Sequence, residues 1–196
     1  MISVPQCRNP SSREAAFVAS LELLFRRENR AALAALRRGF GKEPWEAPEM
    51  YPFVVPHFTA ALTVRAERAF FVTASAFAQH PSSGAESEPS TGRPNLGRAL
   101  RQSIRSPEQG AGTERRFVAL LRADEEDLTE HLWRSVTLLK SREVEMDWRQ
   151  FLHDIARSSW DRVRREWAAS FWVSIEEDCE TAAEPREMVP ETESTI

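Results

Sequence analysis

NLGRALRQSIRSPEQGAGTERRFVALLRAD, residues 95–124, carries two apolar stripes at helical spacing and seven-residue-spaced arginines. In its first part Leu96, Ala99, Leu100 and Ile104 recur at helical spacing, and in its second Phe117, Leu120 and Leu121 do the same. Burying those stripes leaves Arg98, Arg101 and Arg105 on the outer face of one helix. It leaves Arg115 and Arg122 stacked on the outside of the next, with Arg116 to one side. A glycine-containing break over residues 106–112 is expected between the two. From Arg93 to Arg122 seven arginines face only Glu108 and Glu114. Rows of guanidinium groups at one- or two-turn spacing offer charge and paired donors to a phosphodiester backbone without reading bases. The same rows also suit a solvated helix exterior or the carboxylates of neighbouring helices. Periodicity alone therefore leaves nucleic acid and protein open as partners.

Outward from this stretch every strongly periodic segment has helical spacing and no run alternates as a strand would, so the chain reads as all-α. Ser11 with Glu14 forms a capping-box signature ahead of a stripe of Phe17, Leu21 and Leu24. Asn29 is placed to cap a second helix with Leu33, Leu36 and Phe40 on one face, while Arg30, Arg37 and Arg38 point away. Pro44, Pro48, Pro52 and Pro56 restrict the next segment to short turns, which Trp45, Tyr51, Phe53 and Phe58 are expected to pack down. A broad apolar helix spans about 62–79, with Arg65 and Arg68 near its start. Beyond residue 124, Asp124 is the expected cap for a helix burying Leu128, Leu132, Val136 and Leu139. Asp147 caps one burying Trp148, Phe151 and Ile155, and a last helix over 161–175 displays Arg162, Arg164 and Arg165.

The implied organisation is two small packed helical bundles, 1–80 and 95–175, joined by a Pro/Ser-rich linker at 81–94. Residues 176–196 hold eight acids and one arginine, and read as a disordered acidic tail. Removing that −7 from the net charge of −4 leaves +3 on residues 1–175, so the basic surface is masked in the overall composition. No run approaches the roughly 18 apolar residues of a membrane helix, and the opening MISVPQCRNPSS lacks a signal-peptide core, so no membrane partner and a cytoplasmic location are expected. Cys7 and Cys179 support neither a disulfide framework nor a zinc site.

Signatures of chemistry are missing where they would be looked for. His57, His80, His131 and His153 are scattered, and none pairs with His or Cys at metal-ligand spacing. There is no nucleophile elbow, P-loop or dinucleotide fingerprint. The acids at 124–127 point around a helix and do not converge, which fits a solvated first turn better than a metal site or a hydrolase. No catalytic residue, cofactor or metal is expected.

The order of short motifs carries more. LRRGFG (36–41), APEMYPFVVP (47–56), NLGRAL (95–100), ERRFVALLRAD (114–124), LLKS (138–141) and VEMDW (144–148) together resemble the CasB family, the small subunit of the type I-E CRISPR surveillance complex, Cascade. The resemblance covers roughly 15–175. It implies a non-enzymatic, all-helical subunit that contacts backbone and large subunits around a guide RNA and sits beside a second copy of itself. It also implies a basic surface that holds target DNA, notably the displaced strand of the R-loop. Arg37, Arg38, Arg98, Arg115, Arg116 and Arg122 match the family's basic motifs; Arg65 and the group including Arg162 and Arg165 match its basic regions more loosely. Arg98 and Arg122 are the ones most open to salt bridging inside the bundle. The alternative is a purely protein-binding scaffold whose arginines meet acidic partner surfaces.

Overall fold

A computed structural model of the chain describes residues 12–81, 94–157 and 159–173. The described residues fold as helices without strands: α1 (Ser12–Arg26), α2 (Arg30–Arg38), α3 (Tyr51–Val54), α4 (Val64–Gln79), α5 (Leu96–Gln102), α6 (Pro107–Arg122), α7 (Leu128–Ser141), α8 (Trp148–Ala156) and α9 (Trp160–Trp172). Short 3-10 turns at Pro44–Glu46, Pro48–Met50 and Val55–His57 fill the proline-rich segment, because each proline fixes φ and removes a donor that a longer helix would need.

Local chemistry sets the helix starts. The side chains of Asn29, Thr63, Asn95, Ser106 and Asp147 accept from otherwise unpaired amides in the first turns of α2, α4, α5, α6 and α8. α6 begins at Pro107, so the expected break over 106–112 shrinks to residues 103–106. Ser106 as cap, Pro107 in the first position and Glu108 in the first turn outweigh the helix-weakening of Gly110 and Gly112. Asp124 does not cap α7. Its Oδ1 accepts from the amides of Glu126 and Asp127 at 3.2 and 3.0 Å, closing a separate acidic turn, and α7 starts only at Leu128. The proposed Ser11 cap, most of the linker and the acidic tail lie outside the described residues.

One continuous core runs through the bundle, from Phe17 and Leu21 of α1 through Phe70 and Phe77 of α4 to Trp148, Phe151, Trp167 and Phe171 of α8 and α9. α4 is the axis: residues 69–78 are all buried. α8, though it follows the linker, packs chiefly on α4 and also on α1, with Phe77 edge-on to Trp148 at 5.6 Å. The two groups of helices on either side of the linker thus share one interior. At the other end α5 lies against α9, and Gly97 permits the approach: a Cβ there would stand 2.2 Å from the Trp167 carbonyl oxygen.

Candidate nucleic-acid interface

Arginines divide by whether the bundle gives them a partner. Arg65 pairs with Glu125 at 3.3 Å and lies 5.9 Å from the Trp160 ring centre. Arg162 pairs with Glu166 at 2.8 Å, and Arg157 meets the same carboxylate. Arg164 faces Trp160 from 5.4 Å, pairs with Asp161 and donates to the Ala123 carbonyl. Arg165 is exposed and its Nε donates to the Asp161 carbonyl one turn back at 3.3 Å. The basic group at the start of α9 is thereby tied mainly to its own helix and to the α6–α7 connection.

Arg37 is exposed, yet its Nε donates to the Ala78 carbonyl at 2.7 Å. That carbonyl belongs to the last turn of α4, where no helical amide remains to bond it, so Arg37 closes the helix end. Arg142, which neither periodicity nor motif singles out, reaches the Ser103 carbonyl, Ser103 Oγ and Thr113 Oγ1 at 2.8–3.2 Å and ties the end of α7 to α5 and α6. Its place at the end of a helix, where a cation suits the dipole, is the one signal that could have pointed to it.

Five of the nine arginines expected to hold nucleic acid stand apart. Arg38 of α2, Arg98 of α5, and Arg115, Arg116 and Arg122 of α6 are all exposed and make no side-chain hydrogen bond or ion pair among the described residues. Arg98 and Arg122, open between a nucleic-acid contact and a salt bridge on sequence grounds, thus form no ion pair among the described residues.

The face of α6 explains the placement. Thr113, Phe117 and Leu120 are buried, and at 100° per residue Arg115 and Arg122 fall opposite them. The same outer face carries Val118 and Ala119 between these arginines and Ala111 one turn before them. The small side chains floor an open groove of ≈ 930 Å³, which Glu114, Arg115 and Arg122 line from α6 and His131 from α7. Asp124 and Asp127 line it as well, so its walls carry both signs of charge. Small residues between outward arginines at helical spacing are a signal that the sequence contains and that a search for motifs passes over. Among the described residues no group of three or more His, Cys, Asp or Glu could hold a metal ion, and no helix is long and apolar enough to cross a membrane.

Comparison with known proteins fits this geometry. A family model described as CRISPR-associated protein Cse2 matches residues 32–172, from α2 to α9. The CRISPR-associated protein Cse2 of Thermus thermophilus is 30% identical over 146 residues, 72% of this chain and 79% of that protein. Among solved structures, a chain of a CRISPR RNA-guided surveillance complex superposes with a TM-score of 0.71 at 32% identity, covering 87% of this chain and 97% of the other. The crystal structure of M. ruber CasB gives 0.68 at 27% identity, covering 88% and 99%. The motifs, the all-helical fold and the matched span agree: the chain belongs to the CRISPR-associated Cse2 family, the CasB family that its sequence resembles.

Proposed function

We propose that this chain is a non-catalytic subunit of an RNA-guided CRISPR defence complex, and that it holds nucleic-acid backbone through Arg38, Arg98, Arg115, Arg116 and Arg122. Its partners would be the backbone and large subunits with their guide RNA, a second copy of itself, and target DNA, chiefly the displaced strand. The observation that carries the reading is that five of the nine arginines singled out by the sequence are exposed without a carboxylate, whereas Arg65 and Arg162 are paired. Likeness to a chain of an RNA-guided surveillance complex supports the setting.

The physics suits the task. An RNA–DNA hybrid is about as stable as the DNA duplex it replaces, so a few backbone contacts on the displaced strand shift the balance toward the open state. Contacts of that kind need charge and bidentate donors but no base readout. Arg37 and Arg165 are exposed as well and can add charge. Arg65 and Arg162 are committed to Glu125 and Glu166 and serve the bundle first.

A second reading, a protein-binding scaffold, has its own observation. Trp45 is 71% exposed despite the expectation that it packs down, and Pro48, Tyr51, Pro52, Val55 and Pro56 are exposed beside it in sequence. Large aromatics on a rigid turn are typical anchors of protein interfaces. One experiment separates the two. Complexes reconstituted with Arg98, Arg115, Arg116 and Arg122 changed to Glu should elute intact from size exclusion yet bind target DNA more weakly. Failure of the variant to join the complex would assign the arginines to protein contacts, and unchanged target binding by an intact complex would remove the nucleic-acid role.

A further inference from the structure

The start of α4 sets two arginines side by side. Arg65 and Arg68 stand at positions i and i+3 and so share one face of the helix. Both line a cavity of ≈ 30 Å³ whose other walls come from α7, from Glu125 in the acidic turn before it and from Ile155 of α8. We propose that this cavity binds a monatomic anion, a halide such as chloride, held between the two guanidinium groups.

Unused donors carry the argument. A guanidinium has five N–H groups and no acceptor. Arg65 uses Nη1 on Glu125 at 3.3 Å and Nε on the Ile155 carbonyl at 3.4 Å, and Arg68 uses Nη2 on Glu43. Arg65 Nη2 and Arg68 Nε are buried and have no hydrogen-bond partner among the described residues. A charged donor buried without an acceptor is a costly state, and an anion between the two removes it for both. The carboxylates already present do not fill that place: the Glu125 side chain is 67% exposed, and Glu43 is not part of the lining.

Size and lining select the ligand. A cavity of ≈ 30 Å³ has room for about two water-sized spheres, too little for a phosphate or a carboxylic acid. Its wall is otherwise apolar, from Ala69, Val72, Leu128 and Leu132, with one hydroxyl from Thr129. A water molecule there would bring protons that need acceptors of their own, whereas a halide only accepts. Positive charge also continues past the wall: the Trp160 ring stands 5.9 Å from the Arg65 guanidinium and 5.4 Å from that of Arg164. An anion held here ties α4 to α7 and α8, so folding and anion binding are linked and stability rises with occupancy.

The test uses the full chain. A crystal soaked in sodium bromide should show an anomalous peak within hydrogen-bonding distance of Arg65 Nη2 and Arg68 Nε. In solution, replacing gluconate by chloride at constant ionic strength should raise Tm saturably, by about 3–6 °C at tenfold the dissociation constant. Arg68→Gln, which removes one of the two donors, and Ala69→Val, which fills the cavity and keeps both arginines, should each abolish that dependence. Water alone in the cavity of the bromide-soaked crystal overturns the inference. So does a chloride effect of equal size in wild type and both variants, which would place the ion elsewhere. The bromide measurement needs no substitution and therefore decides the matter even where a variant folds poorly.

Discussion

Two glycine-to-alanine substitutions in neighbouring helices should move stability in opposite directions. At Gly97 a methyl group would stand 2.2 Å from the Trp167 carbonyl oxygen and 2.9 Å from its carbonyl carbon and Cα. These are main-chain atoms of α9, so no side chain can rotate away and α5 must lift from its packing partner. Overpacking where side chains can yield costs about 1–3 kcal/mol, and a backbone obstacle belongs at the upper end. Alanine returns about 1 kcal/mol of helix propensity, leaving a net loss of about 2 kcal/mol, or about 4–8 °C in Tm for a chain of this size. A methyl group added at Gly112 in α6 would meet nothing within 4 Å, so only the propensity gain applies, and Gly112→Ala should stabilise by about 1 kcal/mol. Urea unfolding followed by circular dichroism would show the midpoint falling for one variant and rising for the other with the slope unchanged. A Gly97→Ala protein as stable as wild type would refute the close approach of α5 to α9 and, with it, the placement of Arg98 beside the end of α9.

Other consequences concern single buried or capping groups. Burial raises the Asp154 carboxyl to about 6 against the opposing hydrogen bonds from Trp167 Nε1 and Gln150, so its contribution to stability is fully present below about pH 4 and is lost as pH rises through about 6. That loss is on the order of 3 kcal/mol, at 1.36 kcal/mol per pKa unit. Asp154→Asn, with the Gln150 amide turned over to present its oxygen, keeps both hydrogen bonds and should gain on wild type between pH 4 and 7; a pH-independent difference between the two proteins would contradict this. Arg37→Ala should lower stability by about 1 kcal/mol through loss of the bond to the end of α4, whereas Arg38→Ala should leave thermal stability within about 0.5 kcal/mol, both read by calorimetry.

How far the sequence foretells this molecule depends on whether a property is local. Helix starts at Asn29, Asn95 and Asp147 are legible because a cap acts on amides two or three residues away. The stripes of α4, α6 and α8 are legible for the same reason. The start of α6 is easily misplaced, because Gly110 and Gly112 suggest a break where Ser106 and Pro107 just before them already open the helix. Pairings across the fold could not be read: Arg37 with Ala78, Arg65 with Glu125, Arg142 with Ser103 and Thr113. Each joins residues 29 or more positions apart, and a guanidinium looks alike in sequence whether it ends on a carboxylate or in solvent. Trp45 departs in the opposite sense, since an aromatic residue in a proline-rich turn suggests packing and here is exposed. Family resemblance carries the assembly context, which no periodicity contains.

Arginines of α5 and α6 that touch phosphate must release counterions, and the salt dependence of binding reads that release. In a chain with its tail acids neutralised, affinity for a single-stranded oligonucleotide should be followed against salt, with and without Arg98→Gln, Arg115→Gln, Arg116→Gln and Arg122→Gln. Each phosphate contact on a single strand contributes about 0.7 to the logarithmic slope, so losing four contacts should flatten it by about 3. An unchanged slope would contradict the account.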